Sequence, residues 1–138
     1  MSTSFIEIRT EGFSDILNIT DQINQEIMKS NIAQGICLVS VPGSTASITT
    51  LEFESGAVQD LKNALEHIAP QDGCYIHNEK WGDGNGFSHI RSALLGPSLS
   101  LPFSGGLLNI GTWQQLILID HDNRSRNRRI MVYLLGDR

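Results

Sequence analysis

Residues 35–41 read Gly-Ile-Cys-Leu-Val-Ser-Val. The run is short, rich in β-branched residues and continuous, as a buried central strand is. Pro42-Gly43 punctuates it. Residues 46–53 then resume strand-forming types with Ile48, Thr49, Thr50, Leu51 and Phe53. Upstream, Phe5, Ile6 and Ile8 alternate with Glu7 and Arg9, the pattern of a half-buried strand. Gly12 marks a turn, and Ile16, Leu17 and Ile19 read as the return arm of a hairpin. Thr20 is the expected N-cap of a short amphipathic helix carrying Ile23, Ile27 and Met28 and ending near Asn31.

Downstream of Gly56, Val58, Leu61, Ala64, Leu65 and Ile68 fall at helical spacing, and Pro70 stops the helix. Gln71 to Gly86 is polar and glycine-rich and reads as a loop. Ser88 is placed to cap a short helix, His89 to Leu95, closed by Gly96. From Ser98 to Leu135 the pattern is strand, broken by a turn at Ser104-Gly105-Gly106 and by a polar hairpin loop from His121 to Asn127. The expected order is β-β-α-β-β-α-loop-α-β-β-β. That mixture indicates an α+β fold, a single-domain two-sheet β-sandwich with two or three helices spanning residues 1–138.

Composition narrows the functional classes. The 138 residues carry 10 Lys and Arg against 15 Asp and Glu, a formal charge of −5. General nucleic-acid binders and anionic-membrane binders are basic, so neither partner is expected. Two isolated cysteines, Cys37 and Cys74, form neither a disulfide framework nor a cysteine-rich zinc site, and a reducing, cytoplasmic setting is the default. The start, Met-Ser-Thr-Ser-Phe-Ile-Glu, lacks the pattern of a secretory signal.

Chemistry concentrates in Tyr75-Ile-His-Asn-Glu-Lys-Trp-Gly-Asp-Gly-Asn-Gly-Phe-Ser-His89. A polar loop this long in a small chain is usually functional. Gly82, Gly84 and Gly86 let backbone N–H groups approach a ligand. Ser88 and the helix start after it suit an anion. Asp83 is a candidate for a divalent cation, and His77 and His89 are candidates for acid–base work or metal ligation. Pro42-Gly-Ser-Thr-Ala-Ser47 offers Ser44 and Thr45 to a phosphate, although a strand bulge explains it as well. Glu52 and Glu54 share a strand face. Trp113 and Gln114 begin a strand and are candidate pocket walls. Of the basic cluster Arg124, Arg126, Arg128 and Arg129, the first two read as a solvated tip. His67 reads as structural, and His121 carries no functional argument.

These pieces together resemble the YjbQ-like family, known as secondary thiamine-phosphate synthase enzymes. The resemblance rests on Pro42, Ser44-Thr45-Ala46, Glu52, Tyr75-Ile76-His77, Asp83-Gly84-Asn85, Ser88-His89, Leu94-Leu95-Gly96-Pro97-Ser98, Gly111-Thr112-Trp113-Gln114 and Arg128-Arg129. It covers nearly the whole chain. One departure stands out: the family commonly has a histidine after the proline, where this chain has Gly43.

The resemblance implies a homotrimer that couples a pyrimidine pyrophosphate to a thiazole phosphate and releases pyrophosphate. It implies His77, His89 and Glu52 as catalytic groups, with Ser44, Thr45, Asn85, Ser88, Arg91, Ser98, Trp113, Gln114 and Arg129 around the phosphorylated substrate. Mg²⁺ held by Asp83, with Asn85 or Glu52, is the implied cofactor. Zn²⁺ is less favoured, because only two histidines remain. A different phosphate-handling enzyme such as a hydrolase, or a non-catalytic trimer that binds a phosphorylated metabolite, are the alternatives.

Overall fold

The computed structural model describes all 138 residues, Met1–Arg138. In chain order the elements are β1 (Ser2–Thr10), β2 (Asp15–Asn18), α1 (Thr20–Ser30), β3 (Gln34–Ser40), β4 (Ala46–Glu52) and α2 (Ser55–Ile68). There follow α3 (Ile76–Trp81), α4 (Gly86–Leu95), β5 (Ser98–Ser104), β6 (Leu107–Leu108), β7 (Gln114–Asp120) and β8 (Arg126–Asp137). The fold is α+β. A five-stranded sheet runs β1-β8-β3-β5-β6, and a three-stranded sheet runs β2-β7-β4.

The 35–41 run is central, as expected: β3 pairs antiparallel with β8 on one side and β5 on the other. Only one of its faces is buried. Cys37 and Val39 point into the core, whereas Ile36 is 53% exposed. Between the sheets, Cys37, Val39, Ile130, Val132 and Leu134 meet Ile48, Leu116 and Leu118, and α1 packs Ile23 and Ile27 into the same core. β7 is buried on both faces. Ile117 and Ile119 point away from the inter-sheet core and pack with Val58 and Leu61 of α2 and Leu95 of α4. The layers are therefore five strands, three strands, then helices.

Several expectations change. The first two strands are not a hairpin: β1 pairs with β8, and β2 with β7 in the other sheet. The 121–127 segment is not a hairpin loop either, because β7 and β8 also belong to different sheets. β8 begins at Arg126, inside the predicted loop. The 71–86 stretch contains α3, too short to show an amphipathic stripe and without a buried residue. Four strands follow α4 in place of three. Thr20 does not cap α1: the Asn18 side-chain Oδ1 accepts from the Thr20 N–H, and the Thr20 hydroxyl accepts from the Leu116 N–H. Ser88 does not cap α4, which starts earlier, at Gly86. No helix is long and apolar enough to cross a membrane.

Leu118 is fully buried between the sheets. Leu118→Ala should lower the unfolding free energy by about 2–5 kcal/mol in urea titration, the range for an emptied core site.

Candidate functional site: a charged cleft where the chain changes sheets

The crossing from β7 to β8 carries Asp120, His121 and Asp122, all fully buried. Four residues later comes Arg126, and then Arg128. Strand spacing puts these two arginines on one face of β8. Arg128 grips Asp120 with two nitrogens, Nε to Oδ2 at 2.7 Å and Nη2 to Oδ1 at 2.9 Å. Arg126 donates to Asp122 Oδ2 from Nε at 3.0 Å and Nη2 at 2.6 Å. The Thr45 hydroxyl joins the two pairs, donating to Asp122 and accepting from Arg128. Burial pushes the Asp120 carboxyl up. The Arg128 guanidinium, the Thr10 hydroxyl and the Asp122 N–H outweigh it and hold the group below the usual carboxylate range. Asp122 is likewise lowered: burial pushes it up, but Arg126 and the Asn123 N–H outweigh that.

The predicted loop comes to this hub. Asn123 donates to the Asp83 carbonyl at 2.8 Å, fastening the loop to the crossover. Asp83, Asn85, Asp122, Asn123, Arg124 and Arg126 line a cleft of about 310 Å³. Asn85 is only 7% exposed, and its side-chain amide sits between two carboxylates. One end lies 3.0 and 3.3 Å from the oxygens of Asp83, and the NH₂ can be assigned there. The other end lies 3.3 Å from Asp122 Oδ1. With the NH₂ at that end, the Asn85 amide donates to the Asp83 carboxylate and ties the loop to the cleft wall. Asp83 is the carboxylate of this cleft that no arginine grips, whereas Asp122 is paired with Arg126. Zinc does not fit, since no three His, Cys, Asp or Glu side chains converge.

His77 lies behind Asp83, and His89 packs against His77. Their ring centroids are 4.4 Å apart, tilted by 40°. His77 Nδ1 is 3.7 Å from Asp83 Oδ1 and, although buried, has no hydrogen-bond partner. The nearest polar atom to this unpartnered nitrogen is thus a carboxylate oxygen that lines the cleft.

Other candidates are placed differently. The Ser88 hydroxyl is buried and donates to the Asn85 carbonyl at 2.6 Å, so it positions Asn85 from inside α4. Arg91 is buried too, and donates to the Ala69 carbonyl, Ser14 and Glu66. It holds the helices to the β1–β2 connection and does not reach the cleft. Ser44 precedes Thr45 at the exposed mouth. Ser98 starts β5 opposite Ser40. Arg129 donates to Glu7 and stacks on Phe5 at 4.2 Å, on the outer sheet face. Glu52 and Gln114 face each other at the far end of the β4–β7 pair, whereas Ala46 faces Asp120 at the near end. Six residues of strand separate those ends by about 20 Å. Glu52, Trp113 and Gln114 are therefore not in the histidine cleft of the same chain.

His121 was passed over in the sequence and turns out to organise the buried side of the hub. Arg91 has only donors, so Ser14 accepts from it at 2.9 Å and donates to His121 Nδ1 at 2.8 Å. Nε2 then carries the hydrogen and donates to Ser47 at 3.2 Å, and Ser47 donates to the Ser92 carbonyl. The chain of donors runs one way and requires a neutral imidazole. Burial, aided by Arg91 and Arg128 and opposed by Asp120, pushes the His121 imidazole down to about 4.

The chain is thus a small two-sheet α+β protein with a carboxylate–amide cluster and two arginines around one polar cleft. The chain belongs to the family described as UPF0047 protein YjbQ-like, whose model matches residues 4–137. A UPF0047 protein of Methanothermobacter thermautotrophicus is 35% identical over 134 residues, 97% of this chain and 92% of that one. The UPF0047 protein YjbQ of Escherichia coli O157:H7 is 32% identical over 121 residues, 86% of this chain and 87% of that one. A crystal structure of a YbjQ-like protein of unknown function from Sulfolobus solfataricus superposes with a TM-score of 0.89 at 32% identity, covering 99% of both chains.

The neutral His121 sets a pH dependence. The unfolded chain takes up a proton near pH 6.5 that the folded imidazole refuses until about pH 4. Stability is therefore full above pH 6.5 and declines as the pH falls toward 4, by up to about 3 kcal/mol. His121→Gln should remove most of that slope between pH 7 and 4.5, read as the urea midpoint at each pH. An unchanged slope would exclude His121 as its source.

Proposed function

We propose that this protein is a thiamine-phosphate synthase-type transferase, acting as a side or main activity on phosphorylated small molecules. The observation that carries the reading is the Asn85 amide between Asp83 and Asp122, with Arg124 and Arg126 beside it. Carboxylates and arginines together suit a metal-bound diphosphate, whose charge neither group handles alone. Asp83, oriented by the Asn85 amide, would hold Mg²⁺, which supplies positive charge against the diphosphate. Arg126 and Arg124 would meet the remaining phosphate oxygens. His77 or His89 would give a proton to the leaving diphosphate.

In the reaction, the carbon–oxygen bond to the diphosphate breaks with its electron pair on oxygen. The thiazole nitrogen lone pair forms the new bond to the pyrimidine methylene carbon, and pyrophosphate leaves. The barrier is chiefly the charge that develops on the leaving group, so fixed charges and donors do most of the work.

The proposal includes a homotrimer. Phe5, Ile36, Tyr133 and Leu135 are exposed on the outer face of the five-stranded sheet. Register places them side by side: Phe5 faces Met131, Ile36 faces Leu135, and Leu38 faces Tyr133. A continuous apolar sheet face of this kind is normally covered.

Purified protein with the pyrimidine pyrophosphate, the thiazole phosphate and Mg²⁺ should form thiamine phosphate. His89→Ala and Asp83→Asn should each lower turnover about 10²-fold or more while remaining folded. Absence of turnover, together with release of phosphate from simple esters, would instead select the hydrolase reading. Tyr133→Glu with Leu135→Glu should convert particles of three times the 15.2 kDa chain mass into single chains in analytical ultracentrifugation. A wild type that already sediments as one chain would remove the trimer.

A further inference from the structure

A second cleft lies at the Glu52 end of the β4–β7 pair, and its chemistry is the opposite of the first. It measures about 420 Å³ and is walled by Asn18, Glu52, Phe53, Glu54, Thr112 and Trp113, with Gln115 behind them. No Lys, Arg or His lines it. Trp113 is 75% exposed and Phe53 is 44% exposed. Leaving a whole indole in water forgoes the free energy its burial would give, which points to something that covers it.

The indole sits on a rigid base. The Gln114 N–H donates to the Gly111 carbonyl at 3.0 Å, and the Gly111 N–H donates back to Gln114 Oε1 at 3.0 Å. Trp113 is thus presented from a turn closed by two hydrogen bonds.

The polar groups of this cleft are mostly spent. Glu54 accepts from the N–H groups of Gly56 and Ala57 at the start of α2. Asn18 donates to Gln115 at 3.1 Å and accepts from the Thr20 N–H. The Glu52 carboxylate is different. It belongs to none of the ion pairs of the chain, and no side-chain hydrogen bond reaches it. What meets a ligand here is one unshared carboxylate, one carboxylate fixed at a helix start, and two open aromatic faces.

We infer that this cleft binds a small organic cation with a quaternary nitrogen, its charged head lying on the Trp113 ring and its charge directed toward Glu52. Two carboxylates repel anions. A neutral aromatic would cover Trp113 but leave Glu52 desolvated without a partner, which is costly. A primary ammonium would lose water from three N–H donors and find a single unshared acceptor. A quaternary head has no donors to satisfy and gains from both the indole face and the carboxylate. The site is separate from the Asp122 cleft and does not depend on the synthase reading.

Saturation-transfer NMR on the methyl protons of choline, with 3,3-dimethylbutanol as its uncharged isostere, tests this on the full chain. Choline should show saturable transfer with a millimolar or tighter dissociation constant, and the isostere should bind about fivefold more weakly or worse. Glu52→Gln and Trp113→Ala, both exposed and checked for unchanged thermal midpoints, should each weaken choline about fivefold. Trp81→Ala, which removes the other tryptophan, should not. Equal binding of the two probes, no saturable transfer from choline, or unchanged affinity in both the Glu52 and Trp113 variants would overturn the inference.

Discussion

The architecture depends on two ion pairs at one point of the chain, one buried and one half-buried. β7 ends in the three-stranded sheet and β8 starts in the five-stranded sheet, so the chain must cross the layers within five residues, His121 to Ser125. Asp120 and Asp122 enter that crossing and Arg126 and Arg128 leave it, each acid gripped by one arginine. Such pairs give little net stability over apolar packing, but loss of one partner strands a buried charge and costs about 3–5 kcal/mol. Their value here is positional. Thr10 from β1 and Thr45 from the β3–β4 connection bond to the same acids, so strands of both sheets are registered to one hub. The cleft is the solvent side of that hub, which explains why its carboxylates and arginines stand in fixed positions before any ligand arrives.

Much of the fold was legible from alternation. The 35–41 run, the 46–53 segment and the helix after Gly56 follow directly from apolar spacing. Partnership between strands was not legible. A polar run between two strands reads as a hairpin tip whether the strands pair with each other or diverge into separate sheets, and only long-range packing decides. That ambiguity hid the site's centre, because Arg126 reads as solvated when 121–127 is taken as a tip. The spacing of two between Asp120 and Asp122, and again between Arg126 and Arg128, was the available signal. It marks a strand face carrying opposite charges on either side of a short connection.

The candidate residues that a motif reading groups together are sorted by β4 into two ends. Thr45 at one end belongs with Asp83, Asn85 and the two histidines, while Glu52 at the other belongs with Trp113. Motif order along a sequence carries no information about distance across a sheet, and a straight strand of seven residues separates its ends by more than a substrate's reach. Ser88 and Arg91 show a related effect. Both have the chemistry of phosphate ligands, yet both are turned inward, where Ser88 fixes Asn85 and Arg91 starts the one-way chain of donors that keeps His121 neutral. They shape the cleft without lining it.

Gly43, the point of departure from the family pattern, gains a physical meaning from this arrangement. Its φ of 122° lies in the region that favours glycine, so any side chain here works against the backbone. A Cβ at this position would approach Arg128 Nη1 to 3.1 Å. That nitrogen makes no hydrogen bond within the chain, whereas Nε and Nη2 of the same guanidinium are held by Asp120 and Thr45. Glycine thus leaves uncovered one donor of an arginine whose orientation is already fixed. The chain thereby offers a permanently charged N–H beside the Pro42–Thr45 connection.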